Sequence, residues 1–247
     1  FLGDQGRDAL VVSKIFLELD PVFIGPVTSV GNMYLGPLYY YFMLPFQLLS
    51  YPSPMGPVYA VAAIGTISIP VLYWVAKKLF NFRVALFATI LFTFNPVIIE
   101  YTRFSWNPNP APLISMLMLY ATYKAWRDNS WWWVGVSACF SVLIQLHYLT
   151  LLSAGGAGVI FLIQIYERLQ SSNDRLPTTI PWKQWFLHVL AAVAVFIVSL
   201  TPLILFDFKH DFLNARGFLS ILLGGGDAAR SSSEMLASLW VATKETH

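Results

Sequence analysis

Residues 57–76 read PVYAVAAIGTISIPVLYWVA, a run of 20 positions without one charged side chain. A bilayer core about 30 Å thick takes roughly 20 apolar residues of helix to cross, so this stretch is read as a membrane-spanning helix. It stops at Lys77 and Lys78, with Arg83 close behind. Further apolar stretches follow at 84–99, 111–125, 131–146, 149–166 and 185–206, which brings the expected crossings to six. Gly155, Gly156 and Gly158 in the fifth suit close helix packing or a bend.

Composition agrees with that reading. Of the 247 residues, 57% are hydrophobic and only 11% charged, against roughly 25% charged in an ordinary soluble domain. The net charge is +2 and the basic residues are scattered, so no basic face for nucleic acid exists, and membrane lipids are the expected surroundings. Cys139, the single cysteine, rules out a disulfide framework and a cysteine-based metal site. The chain opens on Phe1 and ends at His247 without a closing feature, and is expected to be a fragment cut at both ends.

Lysines and arginines of short loops stay on the cytoplasmic side. Lys77, Lys78 and Arg83, then Lys124 and Arg127, then Arg168, Arg175 and Lys183 fall in three alternate loops, whereas the loops around Arg103 and His147 hold one basic residue between them. Those two loops, the segment 1–56 and the tail 207–247 are therefore placed outside the cell, around a membrane bundle at 57–206. Within the first segment an amphipathic helix is expected at 8–19, with Leu10, Val11, Ile15 and Leu19 at helical spacing. The stretch 34–49 is apolar but short and carries Gly36, Pro37 and Pro45; a crossing there would turn the eight basic charges outward, so it is read as re-entrant or interfacial. Trp131, Trp132 and Trp133 are read as an interfacial aromatic belt at the inner face.

Polar residues of chemical interest gather on the outer side. Gly3-Asp4-Gln5-Gly6-Arg7-Asp8 puts two carboxylates and an arginine within five positions. A solvated polar loop, with Asp4 as helix N-cap, is the plain reading; a site for a lipid phosphate is the other. Arg103 beside Glu100 is the one basic residue that breaks the charge bias of the short outer loops, although arginines near helix ends also snorkel. Asn107 and Asn109 lie among prolines, where turn formation competes with sugar binding. His147 ends an outward helix, and Lys209, His210 and Arg216 follow the last crossing in a loop able to close over a phosphate. Gly224-Gly225-Gly226 and Ser231-Ser232-Ser233 read as a mobile connection.

In order and spacing these motifs resemble the GT-C glycosyltransferases, in the branch of the protein O-mannosyltransferases and the bacterial aminoarabinose transferase of lipid A. Gly3-Asp4-Gln5-Gly6-Arg7-Asp8-Ala9-Leu10 is similar to the Asp-Glu-like motif of the first outer loop, and Gly36-Pro37-Leu38-Tyr39-Tyr40-Tyr41 to the Pro-Pro-Leu-Tyr-Tyr-like segment. Asn95-Pro96 and Tyr101-Thr102-Arg103 are similar to the Ser-Pro…Tyr-Ser-Arg stretch, and the likeness fades beyond about Arg127. Gln5 stands where many relatives carry Glu, Leu35-Gly36-Pro37 where aminoarabinose-type members carry Lys-Pro-Pro, and Asn107 and Asn109 where an acidic residue often follows.

The resemblance implies an all-α, polytopic transmembrane bundle with extracytoplasmic juxtamembrane helices. It also implies transfer of a sugar, with inversion, from a polyprenyl-phosphate donor to a protein, lipid or glycan acceptor at the extracytoplasmic face of a bacterial plasma membrane. On that reading Asp4 is the base and Asp8 its supporting carboxylate. Arg7, Tyr39, Glu100, Arg103, Asn107, Asn109, His147, Lys209, His210 and Arg216 are the candidate substrate contacts. A divalent metal ion is an open cofactor. The alternative is a transporter or flippase for a lipid-linked or small polar substrate, in which the charges would line a pathway; neither internal repeats nor charges within the crossings mark one here.

Overall fold

The computed structural model describes residues 3–28, 33–170 and 181–223. Those residues form an all-α bundle whose one β feature is an isolated antiparallel bridge, Val27 to Tyr34. The helices are α1 (Gly3–Leu17), α2 (Leu38–Ser50), α3 (Gly56–Leu79), α4 (Phe82–Thr93), α5 (Pro96–Tyr101), α6 (Ala111–Arg127), α7 (Trp132–Leu146), α8 (Leu151–Gln170), α9 (Trp182–Lys209) and α10 (Leu213–Leu222). Arg175 and the Gly224–226 and Ser231–233 runs lie outside the described residues.

Among the described residues three helices are long and apolar enough to span a membrane: α3, α8 with the 3-10 turn before it, and α9. At about 1.5 Å per residue, the 24 residues of α3 and the 28 of α9 exceed the hydrocarbon core. Their outward surfaces stay apolar, as lipid contact requires: Leu152 is 81% and Val198 71% exposed. The remaining expected crossings are shorter. The stretch 84–99 is broken at Asn95-Pro96, because proline cannot continue a helical hydrogen-bond ladder and Asn95 caps a new helix by accepting from the Val97 and Ile98 amides at 2.9 and 3.3 Å.

Polar contacts sort into two ends of the bundle. At one end, Trp126 donates to Glu167 at 3.2 Å, the indoles of Trp133 and Trp185 both donate to Gln164 Oε1 at 2.8 and 3.0 Å, and Ser130 meets His188 Nδ1 at 2.8 Å. This corrects the reading of the tryptophans. Trp131 and Trp132 are exposed, but Trp133 is buried in the core formed with Met118, Leu143 and Ala192, where Gln164 satisfies its N–H. The glycines of α8 also differ from expectation: a Cβ at Gly155, Gly156 or Gly158 would meet nothing within 4 Å, and the helix runs on unbroken.

At the other end α1 packs on α2, and α2 packs onto α3 and α7. Here too the structure corrects the sequence. The helix expected at 8–19 starts at Gly3, so the Asp4–Asp8 motif is its first turns and not a loop. Its buried face is Gln5, Asp8, Ala9, Val12 and Ile15, whereas Leu10 is 69% exposed and Leu19 lies beyond the helix at φ 55°. The cluster of Val12, Ile15, Tyr39, Tyr40, Met43 and Leu146 explains why: carrying Tyr39 and Tyr40, α2 supplies the larger partner surface.

Gly36 anchors this end. A Cβ there would sit 2.3 Å from Gln145 Oε1, and Gly25 passes so close that its own would meet the Gly36 carbonyl at 2.2 Å. Gln145 is itself buried and donates to Ser199 Oγ at 3.1 Å. Gly36→Ala is expected to push Gln145 off Ser199 and cost about 1–3 kcal/mol, the range for overpacking and for a lost buried hydrogen bond. Thermal unfolding of the purified protein measures it, and an unchanged midpoint refutes the contact.

Candidate active site

The first turns of α1 place Asp4, Arg7 and Asp8 on a shared edge, since residues three and four apart are neighbours on a helix. Arg7 reaches both carboxylates, Asp4 at 3.1 Å and Asp8 at 2.8 Å. The two acids differ in surroundings: Asp4 is 57% exposed at its side chain and Asp8 1%. Burial pushes the Asp8 carboxyl upward in pKa, opposed by Arg7 and by the hydroxyl of Tyr40, which donates to it at 3.3 Å. Asp8 is thus a packed anchor for Arg7, while Asp4 is the accessible acid.

Two cavities meet at Asp4 and Trp106. The larger, about 480 Å³, is lined by Asp4, Gln5, Glu100, Tyr101, Phe104 and Trp106. A smaller one, about 290 Å³, is lined by Arg7, Asn107 and His147 together with Asp4 and Trp106. The first is aromatic and acidic; the second carries a guanidinium, an amide and an imidazole, all able to donate hydrogen bonds to an anion. A third cavity, about 320 Å³, lies among apolar side chains of α6 to α9, including Phe140, Phe161 and Phe196.

Residues 104–109 are held from below. Tyr39, fully buried, shares a hydrogen bond with Ser105 at 2.8 Å. Asn107 Nδ2 donates to the Leu146 carbonyl, and Asn109 Nδ2 to the Phe104 carbonyl at 2.8 Å. Tyr39 and Asn109 line neither cavity and shape the segment, whereas Asn107 does both. The Tyr148 hydroxyl donates to the Tyr34 carbonyl at 2.6 Å, and the Tyr34 amide to Asn214 at 2.7 Å, tying α10 to the same end.

His147 Nδ1 accepts from the Leu149 amide at 3.1 Å, so the neutral ring keeps its proton on Nε2. Burial lowers its pKa. A folded-state value below the ordinary 6.5 means that the unfolded chain takes up the proton first. The contribution of His147 to stability is therefore present above about pH 6.5 and lost as pH falls through the folded value. His147→Gln is expected to flatten the fall of the unfolding midpoint between about pH 7.5 and pH 5; superimposable profiles for variant and wild type would refute it.

The remaining candidates sit elsewhere. Arg103 is exposed and lines neither of the two cavities. Lys209 closes α9 and is exposed. His210 stacks on Phe206 at 4.1 Å, its Nδ1 2.8 Å from that residue's carbonyl oxygen. The expected closing loop is instead a short turn, in which Asp211 and Phe212 have positive φ, followed by α10, which carries an exposed Arg216 and is capped by Asp207 accepting from the Asn214 amide at 2.7 Å. Among the described residues no group of three His, Cys, Asp or Glu side chains is clustered as a metal site needs. Sequence reasoning missed Phe104 and Trp106; their spacing from Tyr101 was the available signal.

A helical bundle with three span-length apolar helices and a polar, cavity-bearing end defines an integral membrane protein, and its matched family makes it a membrane glycosyltransferase. The chain belongs to the family described as dolichyl-phosphate-mannose-protein mannosyltransferase, part of the GT-C superfamily, whose model matches residues 36–199. That stretch runs from Gly36 into α9 and includes residues 100–109 and His147; α1 lies before it. Comparison with curated proteins and with solved structures returns no match.

Proposed function

We propose that the protein transfers a monosaccharide, with inversion, from a polyprenyl-phosphate donor to a hydroxyl acceptor on the extracytoplasmic side. The observation that carries this reading is the position of Asp4 on the wall of both cavities, between a cation-bearing pocket and an aromatic one. The donor phosphate binds in the smaller cavity, against the Arg7 guanidinium, the Nε2–H of His147 and Asn107. Arg103, Lys209, His210 and Arg216, away from that wall, act at most on the approach of the anionic donor.

Asp4 accepts the acceptor's hydroxyl proton as its oxygen attacks the anomeric carbon. The new C–O bond forms as the bond from that carbon to the phosphate oxygen breaks on the opposite face, and the electron pair leaves with the phosphate. Arg7 stabilises that growing charge by charge-assisted hydrogen bonding. Asp8, buried behind it, positions the guanidinium. Asp4 and Asp8 share Arg7.

The test is transfer of radiolabelled sugar by membranes containing the full-length protein, from a panel of polyprenyl-phosphate monosaccharides and, in parallel, nucleotide sugars. Transfer from a polyprenyl-phosphate sugar alone is the expected result. Transfer from the nucleotide sugars alone would reject the donor.

A further inference from the structure

The larger cavity has a lining that the chemistry above leaves unused. Tyr101, Phe104 and Trp106 form a triangle of rings with centroids 5.5, 5.8 and 6.1 Å apart, and the Trp106 plane lies within 27° of both neighbours. Tyr101 and Phe104 are inclined at 46° to each other, so the three rings make one aromatic cluster on the cavity wall. The face of an aromatic ring is negative and attracts the weakly positive C–H groups of a pyranose. Opposite chemistry is supplied by Asp4, Glu100 and Gln5, whose oxygens accept hydrogen bonds from hydroxyl groups.

From this we infer that the cavity is the acceptor subsite and that its ligand is a neutral saccharide, stacked on Trp106 with a hydroxyl directed to Asp4. The inference rests on the transferase reading and names its acceptor class. Among the described residues, two carboxylates and no lysine or arginine line the cavity, which disfavours a phosphorylated or otherwise anionic acceptor. Nor is the aromatic segment simply an interfacial belt. Ser105 and Asn107, on either side of Trp106, are buried and bonded to Tyr39 and Leu146, and Asn109 holds the Phe104 carbonyl. Such bonds hold the rings in place before a ligand arrives, which lowers the entropy cost of binding.

A peptide is the competing occupant. Extended peptides are held chiefly by main-chain pairing with a strand edge; the segments lining this cavity are α1, α5 and the turns after α5, which offer none. Proline-rich peptides do use aromatic grooves, so they belong in the test.

Saturation-transfer NMR on the full-length protein in nanodiscs, without donor, compares methyl α-mannoside, methyl β-glucoside and a neutral mannotriose with serine-containing and proline-rich hexapeptides. Signal on the ring C–H protons of at least one saccharide is expected. Trp106→Ala should weaken that binding about tenfold, the order of one aromatic contact, and Trp106→Phe should keep most of it. Phe104→Ala serves as the second variant should Trp106→Ala fail to insert. Signal from the peptides alone, silence from every saccharide, or saccharide binding indifferent to both alanine variants overturns the inference. Because no donor is present, each of these results is independent of whether polyprenyl-phosphate sugars are consumed in the transfer assay.

Discussion

Asp4→Asn is expected to lower sugar transfer by about 10²–10⁴-fold, the usual contribution of a positioned base. The substitution keeps size and an oxygen for Arg7, which lies 3.1 Å from Asp4, so α1 retains its first turn and the neighbouring cavity its guanidinium. What disappears is the ability to take a proton. Donor affinity is expected to change little, since the phosphate contacts are Arg7, His147 and Asn107, and the loss should fall on turnover and not on KM. Parallel assays at matched protein levels in membranes would measure both. Full transfer by the variant would remove Asp4 as the base, and a loss confined to KM would make it a binding residue.

Removing the arginine acts on stability and on transfer together. Arg7→Ala leaves Asp8, 1% exposed, with the 3.3 Å contact from Tyr40 as its one side-chain partner among the described residues. Breaking a fully buried ion pair costs about 3–5 kcal/mol; the Arg7 side chain is 44% exposed, so roughly 2 kcal/mol is expected here, nearer the range for one unsatisfied charged group. The pH dependence separates this from generic damage. Burial already raises the Asp8 pKa above 3.8, and Arg7 is the main influence opposing it. Without the arginine the folded value climbs further while the unfolded value stays. An acid raised on folding loses stability as pH rises from its unfolded to its folded value. Variant and wild type should therefore unfold at similar temperatures near pH 4 and diverge toward about pH 7. A gap of constant size across that range would show that the buried carboxylate is not its source. Transfer should fall at least as far as for Asp4→Asn, because the leaving phosphate loses its cation.

How much of this was legible in advance differs by element. The spans of α3 and α9 were plain because a membrane helix writes its burial into composition, whichever side chains it touches. The stretch 84–99 reads as one crossing, and its division into α4 and α5 was missed although Asn95-Pro96, a cap followed by a residue that cannot continue a helix, carried the signal. Against this, Leu10, Val11, Ile15 and Leu19 do share a helical spacing, yet the face α1 buries carries Gln5 and Asp8, since Tyr40 and Arg7 make a buried carboxylate affordable there. Periodicity counts apolar side chains and cannot see a partner supplied 32 residues later.

Composition, charge bias and ordered motifs alone determined an all-α membrane protein and drew attention to Asp4, Arg7, His147 and residues 100–109. Those properties are local or additive along the chain. Tertiary structure decided that Asp4 lines two cavities, that Asp8 and Tyr39 are buried supports, that Arg103 and Arg216 line neither cavity, and that Tyr101, Phe104 and Trp106 share one wall. Each of these is a distance between residues far apart in sequence or a direction taken by a side chain, and both are set by how helices pack, which no single segment encodes.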